Sequence, residues 1–383
     1  MNITVINTLF APYQVGGAER SVEEIVTFLS KDHDVRLLTL RDRVDQSIPD
    51  REVRRGIEVV RFTLRFRYWP FPKRGRPLIN RFIWHFLDLF SFALFLRVLL
   101  DLLKNRPAIV MTHNLTGFSM GPWFAAKILR VPVVHVLHDY NLMCPNTTMR
   151  RDFKNCVEIC IQCKLRNNLT NLSPKPAALV GVSEFTLNQH RKFLTFPEST
   201  LFGVAHGSAS FVPKDRNKIV YDFGFLGGLN EVKGIEVFVS AAKKMPENTF
   251  AVAGKPSDAF IESIEGFPNI KFLGWCDAVE FYSLVDVLIV PSVWNDPAPR
   301  VILEAKRAGM HVVISNLPTL VEIAKYNDCS YSVFEPGNSE ALVEVLNSLT
   351  KKLEKISSNE FMPSQGEQLL KFILEVQSIR NRH

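Results

Sequence analysis

The chain of 383 residues alternates short apolar runs with amphipathic segments along most of its length. Apolar runs of strand length recur in two series, one in each half of the chain. The first series is Ile3–Leu9, Val35–Leu40, Ile57–Phe62, Ile109–Thr112, Val133–Leu137 and Leu179–Val182. The second series is Val220–Leu226, Thr249–Ala253, Ile270–Leu273, Val287–Pro291, Val312–Ser315 and Ser330–Phe334. Because amphipathic helical segments separate these runs, the pattern predicts parallel sheets covered by helices on both faces.

Two successive α/β domains of the doubly wound, Rossmann-like type follow from the two series and from the chain length. We expect an N-terminal domain over residues 1–207 and a C-terminal domain over residues 208–364. The last segment predicts a further helix, and we expect residues 365–383 to return to the first domain. Open α/β sheets bind ligands outside the carboxyl ends of their strands, so we expect the functional site in a central cleft that both domains face.

Positive charge is concentrated in one region of the sequence. Between Arg41 and Val110 there are 15 Lys and Arg against 7 Asp and Glu, whereas the rest of the chain is close to neutral. Residues 61–104 combine this charge with many aromatic residues, which favours peripheral contact with the inner face of the cytoplasmic membrane. A solvated loop with incidental arginines is the alternative. A nucleic-acid partner is disfavoured, because no nucleic-acid-binding motif accompanies the basic region.

The apolar segment from Leu78 to Lys104 is not typical of a membrane span. Charged residues interrupt it, and its longest uncharged stretch, Leu89 to Leu96, is far shorter than the ~20 residues that a span requires. The segment instead predicts an amphipathic helix packed on the first sheet, with an aromatic edge that can enter lipid. The first residues lack a secretory signal pattern, so we expect a cytoplasmic protein.

The strongest candidate for chemistry follows the strand that ends at Pro291. Asp296 lies in the predicted loop, and Glu304 lies in the predicted helix that starts near Arg300. Carboxylates accept paired hydrogen bonds from the vicinal hydroxyls of a ribose or a hexose. The free amides of a helix start suit a phosphate. A helix cap and a surface charge would give the same pattern, and they are the alternative.

A second candidate lies at the start of the second domain. Gly227 and Gly228 follow a strand there, and Lys233 comes five residues later. Glycine permits close backbone approach to a ligand, and lysine supplies a point charge for a diphosphate. A plain strand-to-helix turn with a surface lysine is the alternative.

Two further candidates lie in the first domain. Gly16 and Gly17 connect the first strand to the following helix. His138 and Asp139 follow the fifth apolar run, at a strand end where ligands bind. His113 follows a similar run, and we expect it to line the site. The alternative for His138 is a core histidine satisfied by Asp139.

Together these segments resemble, in their order and motifs, the retaining glycosyltransferases of family 4, which have the two-domain GT-B fold. The family hallmark, an acid, seven residues and then Glu, matches Asp296 and Glu304. The resemblance implies transfer of a sugar from a nucleotide-diphosphate sugar to a glycan or lipid-linked glycan acceptor. It further implies retention of anomeric configuration, no metal or other cofactor for catalysis, and a place in bacterial polysaccharide or lipopolysaccharide assembly.

The resemblance also implies roles for the domains and for individual residues. The first domain would bind the acceptor, and the second would bind the donor. The catalytic residues would be His138, Asp296 and Lys233. The donor-binding residues would be Gly16, Gly17, Gly227, Gly228, Lys233, Asp296, Arg300 and Glu304. Gly228 stands where the family has a phosphate-binding arginine, and we expect Arg300 to compensate. A non-catalytic relative that acts as a scaffold or regulator, and a sugar-nucleotide 2-epimerase of the same fold, remain alternatives.

Four of the six cysteines lie within 20 residues, namely Cys144, Cys156, Cys160 and Cys163. In a cytoplasmic protein such a cluster favours metal binding over disulfides. It therefore predicts a structural zinc site with all four cysteines as ligands, which would order the loop after His138. Free thiols or oxidised pairs are the alternatives.

Overall fold

A computed structural model of the chain describes residues 1–13, 16–66, 68–71, 77, 80, 83–84, 87–88, 91–207, 219–256, 258–349 and 363–380. The chain divides into two compact units, which we call the N-terminal unit (Met1–His206 with Pro363–His383) and the C-terminal unit (Gly207–Met362). Each unit contains one large, mainly parallel sheet, so the predicted class of two Rossmann-like α/β domains is confirmed.

The N-terminal sheet has eight strands in the order β10-β9-β6-β5-β1-β2-β4-β3. All neighbours pair in parallel except β3, which runs antiparallel to β4. The strands are β1 (Asn2–Ile6), β2 (Asp34–Arg41), β3 (Arg51–Arg54), β4 (Ile57–Thr63), β5 (Ile109–Thr112), β6 (Val133–Leu137), β9 (Ala178–Gly181) and β10 (Leu201–Val204). A separate short hairpin consists of β7 (Arg150–Arg151) and β8 (Lys154–Asn155).

Six helices accompany this sheet within the described residues. They are α1 (Gly17–Leu29), α2 (Phe92–Asn105), α3 (Gly121–Ile128), α4 (Ile161–Leu172), α5 (Glu184–Phe193) and, from the C-terminus, α12 (Gln365–Arg380). The helix α12 lies in the N-terminal unit, where the side-chain amide of Gln365 donates to the carbonyl of Ala205 at 2.9 Å. No helix in the described part of the chain is long and apolar enough to cross a membrane.

The C-terminal sheet has six parallel strands in the order β13-β12-β11-β14-β15-β16. The strands are β11 (Tyr221–Leu226), β12 (Phe250–Ala253), β13 (Ile270–Gly274), β14 (Val285–Val290), β15 (His311–Ser315) and β16 (Tyr331–Phe334). The helices are α6 (Ile235–Lys243), α7 (Asp258–Ile264), α8 (Ala278–Leu284), α9 (Arg300–Arg307), α10 (Pro318–Tyr326) and α11 (Ser339–Leu349).

Residues 287–290 of strand β14 show why this part of the sequence is a continuous apolar run. Val287 and Ile289 pack into one core with α6 and α11, whereas Leu288 and Val290 pack into the opposite core with α8, α9 and α10. Successive side chains of a strand point to opposite faces of the sheet. The part of a parallel strand that helices cover on both faces is therefore apolar at successive positions.

The strand order reverses at one point in each sheet. In the N-terminal sheet this switch point lies between β1 and β5, and in the C-terminal sheet it lies between β11 and β14. The loops that leave such neighbouring strands run in opposite directions, which opens a crevice at the carboxyl ends of the strands. The segments singled out from the sequence leave these four strands or their neighbours.

Several elements differ from the sequence prediction. The predicted helix over Leu78 to Lys104 is seen as α2 over Phe92–Asn105, and much of residues 72–90 lies outside the described residues. The edge strand β3 was missed, because its sequence Arg-Glu-Val-Arg carries charges on both sides of a single valine. Charged residues are common on edge strands, where they oppose pairing with other chains.

Candidate active site

Two loops at the switch point of the C-terminal sheet bring Lys233 against Asp296. Lys233 ends a short 3-10 helix that follows β11, and Asp296 lies in the loop after β14. The Lys233 ammonium is ion-paired with Asp296 Oδ2, and it lies 5.9 Å from the centroid of the Trp294 ring. The lysine side chain keeps 33% of its surface exposed. A positive group is thus fixed at the strand ends with one side open to an anionic ligand.

Gly234 makes this close approach possible. Its φ is +75°, and a Cβ at this position would lie 1.8 Å from the carbonyl oxygen of Pro291. The two loops are also joined by a 3.0 Å hydrogen bond from the Val293 N–H to the Val232 carbonyl. A residue without a side chain is therefore required to bring the Lys233 loop against the loop that carries Asp296.

Glu304 is held from two sides. Its Oε2 accepts a 2.8 Å hydrogen bond from the Tyr282 hydroxyl, and its Oε1 lies 3.6 Å from Nε of Arg300. The carboxylate is largely buried, and Glu304 lies one turn into α9, the helix that follows the loop after β14. A carboxylate has about four acceptor positions, which suits paired hydrogen bonds from the vicinal hydroxyls of a ligand.

These loops offer fewer backbone N–H donors to a phosphate than a glycine-rich loop would offer. The Gly227 N–H is used within the sheet edge, where it donates to the Ala253 carbonyl at 3.1 Å. Pro299 is the N-cap of α9, and its carbonyl accepts from Ile302 N–H at 3.1 Å. The guanidinium of Arg300 lies against Glu304. Lys233 is therefore the cation that the described residues place most openly at this switch point.

In the N-terminal unit, His138 is paired with His113. Nδ1 of His113 lies 2.9 Å from Nε2 of His138, and the two ring centroids are 5.1 Å apart. His113 is fully buried, and burial together with the neighbouring His138 lowers its pKa well below the usual value. Two neutral rings can share one proton in a hydrogen bond, whereas two charged rings would repel each other. His113 thereby fixes the orientation of the half-buried His138.

The two histidines meet because their strands are neighbours. His113 follows β5 and His138 follows β6, and these strands pair with Thr112 opposite His135. The hydroxyl of Thr112 lies 2.8 Å from Nδ1 of His135 and accepts from the Trp123 indole at 3.1 Å. Buried hydrogen bonds therefore fix the strand ends from which both rings project.

Gly16 and Gly17 begin the helix α1. Gly16 is the N-cap, and its N–H donates to Oε2 of Glu19 at 2.9 Å. The glutamate of this Gly-Gly-Ala-Glu segment therefore holds the helix start by a capping interaction. The two preceding positions, 14 and 15, lie outside the described residues.

Two family models match this chain. The model described as "Glycosyl transferase 4-like domain" covers residues 16–155, and the model described as "Glycosyl transferases group 1" covers residues 221–352. The chain belongs to the group 1 glycosyltransferases. The two matches fall on the two units separately, and they include the Gly16, His138 and Lys233 segments.

Relatives of this glycosyltransferase share its length and fold. It is 28% identical to a protein of Klebsiella pneumoniae described as an uncharacterised 42.6 kDa protein in a cps region, over 85% of this chain and 88% of the relative. The structure of Anabaena Alr3699/HepE in complex with UDP and glucose has a TM-score of 0.68 at 16% identity, covering 100% of this chain and 98% of that one. Sucrose-phosphate synthase from Thermosynechococcus elongatus has a TM-score of 0.67 at 14% identity, with 99% and 97% covered. These structures share the GT-B fold of the glycosyltransferase.

The structure places the cysteines of the predicted zinc site of the glycosyltransferase close to one another. All six cysteines are free, and no three His, Cys, Asp or Glu side chains of the described residues form a group that could hold a metal ion. Sγ of Cys160 and Sγ of Cys163 are 3.5 Å apart, and a hydrogen bond from Cys163 lowers the pKa of Cys144 to about 6. Burial and the nearby Cys144 and Cys160 raise the pKa of the Cys156 thiol, so all four cysteines lie in one region. A structural zinc site with all four cysteines as ligands stays a prediction.

A buried arginine holds the loop after His138. Arg166 of α4 forms an ion pair with Asp88 at 3.1 Å, and it donates to the Asn141 side-chain oxygen at 2.6 Å. Asp88 also accepts from the Gly117 N–H at 2.5 Å. Charge-assisted bonds of this kind are strong when buried, because each charge has its partners in place.

Two residues of the site of the glycosyltransferase were underrated or missed by sequence reasoning. Tyr282 was missed, because a tyrosine in an apolar helix gives no sign that its hydroxyl reaches Glu304. His113 was expected only to line the site, yet it contacts His138 directly. The signal for His113 was available, since both histidines come directly after neighbouring strands.

Proposed function

We propose that the protein transfers a sugar from a nucleotide-diphosphate sugar to a membrane-associated or polysaccharide acceptor, with retention of configuration and without a catalytic metal. The observation that carries the proposal is the position of Lys233, Asp296 and Glu304. They occupy the segments that leave β11 and β14, at the switch point of a Rossmann-like sheet. Nucleotides bind at this point in sheets of this type.

Each of these groups has a role in the proposed reaction. Glu304, already oriented by Tyr282, accepts the ribose hydroxyls. The Lys233 ammonium moves part of its ionic interaction from Asp296 to the diphosphate. There it stabilises the negative charge that develops on the leaving group. Asp296 turns to the hydroxyls of the donor sugar. The acceptor hydroxyl then attacks the face from which the diphosphate departs, and the diphosphate takes its proton.

His138 is assigned to the sugar that is transferred. Its Nε2 is held by His113, so the rest of the ring is fixed in one orientation. A neutral imidazole offers a hydrogen bond to a sugar hydroxyl without adding a charge beside an oxocarbenium-like transition state. Gly16 and Gly17 form the capped helix start that follows β1, and we assign them to the same ligand.

The donor and the acceptor class are inferred from the relatives. The Anabaena structure contains UDP and glucose, which supports a UDP-sugar as the donor. The Klebsiella relative lies in a cps region, which supports a polysaccharide or its lipid-linked precursor as the acceptor.

A membrane location is supported by the exposed face of α2. Phe92, Leu96, Leu100 and Leu103 follow a helical spacing and are 65%, 41%, 56% and 46% exposed, and Lys104 and Arg106 follow them. Such a face suits an anionic bilayer surface. Co-sedimentation with phosphatidylglycerol vesicles should fall at least tenfold in Leu96→Gln/Leu100→Gln. The control Ile161→Gln/Leu172→Gln changes two exposed apolar residues of α4 and should sediment as wild type. Equal sedimentation of both variants would refute the assignment to α2.

The reaction itself is tested with a panel of radiolabelled nucleotide-sugars and a lipid and polysaccharide extract as acceptor. We expect one UDP-sugar to label the extract, and we expect Glu304→Ala to lower the rate at least a hundredfold. Transfer at the wild-type rate by this variant would show that the site is assigned wrongly. Binding of the nucleotide-sugar without transfer or hydrolysis would favour the non-catalytic alternative, which the glycine at position 228 makes the second candidate.

A further inference from the structure

A polar cavity lies at the carboxyl edge of the N-terminal sheet. It has a volume of about 610 Å³ and is lined by Arg41, Arg43, Gln46, Thr63 and Arg65. Arg41 ends β2 and Thr63 ends β4, and these two residues are direct partners in the parallel register. The cavity therefore opens at the strand ends, where open α/β sheets bind ligands.

Most of the surrounding charges already have partners. Asp50 pairs with Nε of Arg41 at 2.5 Å, and Asp45 accepts from the Tyr13 and Ser47 hydroxyls at 3.0 Å and 2.6 Å. These hydrogen bonds from Ser47 and Tyr13 lower the pKa of Asp45, so this carboxylate stays ionised and engaged. The loop carboxylates are thus occupied by their own neighbours.

Two arginines of the cavity are different. Arg43 and Arg65 are exposed, and neither is paired with an acidic group anywhere in the described ranges. By contrast, Arg36 and Arg61 of the same strands are buried and each pairs with a carboxylate. Guanidinium groups bind phosphates and carboxylates through two parallel hydrogen bonds. Two unpaired guanidiniums over one polar cavity therefore suit an oxyanion.

The place of the cavity in the sheet connects it to the proposed reaction. Strands β2 and β4 are two and three positions from β5, after which His113 holds His138. His138 follows β6, which is three and four positions from β2 and β4. Neighbouring strands are about 4.8 Å apart, so the cavity lies about 14–19 Å along the same edge from His138. A ligand whose hydroxyl is at His138 can reach the arginines with a group a few sugar units away.

We propose that Arg41, Arg43 and Arg65 form a binding site for an oxyanion, phosphate or carboxylate, that is carried by the acceptor. The site rests on the proposed function in one respect only, namely that the anion belongs to the acceptor. The two sources of such an anion are the diphosphate of a lipid carrier and an acidic sugar of the glycan.

The test is calorimetric titration with inorganic pyrophosphate and, separately, with glucuronate. The titrations use a Lys233→Ala background, which removes the proposed diphosphate contact in the C-terminal unit. We expect one of the anions to bind, and to bind at least tenfold more weakly when Arg43→Ala/Arg65→Ala is added. Pyrophosphate would indicate the lipid carrier as the source, and glucuronate would indicate an acidic sugar.

The matched control is Arg151→Ala/Lys154→Ala in the β7–β8 hairpin, which removes the same charge from residues that do not line the cavity. Its dissociation constant should stay within twofold of the background protein. The proposal is overturned if neither anion binds, or if both double variants weaken binding equally. Donor binding is measured with UDP and with variants of the C-terminal unit, so a failure of the proposed function would be seen separately.

Discussion

The carboxyl edges of the two sheets are built from different chemistry on the same topology. At the switch point of the N-terminal sheet, two imidazoles share a hydrogen bond, and burial keeps His113 neutral. At the switch point of the C-terminal sheet, Lys233 is paired with Asp296, and Glu304 lies beside Arg300. The switch point of the N-terminal sheet therefore presents hydrogen-bonding imidazole rings, whereas the switch point of the C-terminal sheet, which we call the charged edge, presents full charges of both signs.

This difference matches two kinds of ligand. Charged partners suit a diphosphate and a ribose, because a phosphate needs a cation and vicinal hydroxyls need a carboxylate. Neutral rings suit hydroxyl groups, because they exchange single hydrogen bonds without the cost of desolvating a charge. The strand order positions a site at each switch point, and the residues after the strands decide what each site binds.

The largest effect is expected from Gly234→Ala, which separates the two loops of the charged edge. The new Cβ would meet the Pro291 carbonyl at 1.8 Å, at a φ of +75°. We expect the C-terminal unit to lose about 4 kcal/mol of its free energy of unfolding, and UDP affinity to fall with it. Hydrogen exchange of C-terminal peptides measures the first, and calorimetry measures the second.

The control for this change is Gly337→Ala. Gly337 has a similar φ of +82°, but a Cβ there would meet no atom within 4 Å. This variant therefore has only the backbone strain, about 1 kcal/mol. If the two variants lost equal stability, the close approach of the two loops would not be what Gly234 provides.

The next effect is the pH dependence of the stability of the N-terminal unit. Burial lowers the pKa of His190 to about 4, and it lowers the pKa of His113 and His135 well below the usual value. Below about pH 6.5 these histidines bind protons in the unfolded chain, whereas in the folded chain they stay neutral. The free energy of unfolding therefore decreases as the pH falls from about 6.5 to about 4. For His190 alone this amounts to about 3 kcal/mol.

Hydrogen exchange between pH 7 and pH 5 measures this loss in each unit separately. We expect the N-terminal unit to weaken more steeply, because His311 is the one histidine of the described C-terminal residues whose pKa is lowered. In the variant His190→Gln, the free energy of unfolding should depend less steeply on pH, by up to the equivalent of one bound proton. An unchanged slope in this variant would contradict the assignment of the pH effect to His190.

The smallest effect is expected from Tyr282→Phe. The change removes the 2.8 Å hydrogen bond to Glu304 and leaves the ring in place. We expect UDP to bind about fivefold more weakly, which corresponds to about 1 kcal/mol. The same substitution at Tyr331, at the amino end of β16, is the control and should not change UDP affinity. Equal affinities in wild type and Tyr282→Phe would mean that Tyr282 does not orient Glu304.

Much of the fold was predictable from the sequence, because it depends on patterns that are local in the chain. A continuous apolar run of strand length such as Val287–Pro291 is typical of a strand covered on both faces, and β14 at Val285–Val290 confirms the predicted strand. The short elements β3 and β10 were not predictable. The first is a charged edge, and the second, Leu201–Val204, contains a glycine that weakens a strand signal.

The sequence motifs were sufficient to name Lys233, Asp296 and Glu304 as candidate site residues. The pairing of Lys233 with Asp296 brings together residues 63 positions apart, and it follows from two loops leaving adjacent strands. The zinc site stays a prediction, because no three His, Cys, Asp or Glu side chains of the described residues form a group that could hold a metal ion. The pairing of Arg166 with Asp88 joins positions 78 apart and has no local signature. Such contacts depend on tertiary packing, which cannot be read from the spacing of residues along the chain.

The central claim is that the charged edge of the C-terminal unit binds the nucleotide through Glu304. Calorimetric titration of UDP into wild type, Glu304→Ala and the exposed control Glu335→Ala tests it most directly. We predict that wild type and Glu335→Ala bind UDP equally, and that Glu304→Ala binds at least tenfold more weakly, a loss of about 1.4 kcal/mol or more. Equal binding by all three proteins, or no binding by wild type, would contradict the account.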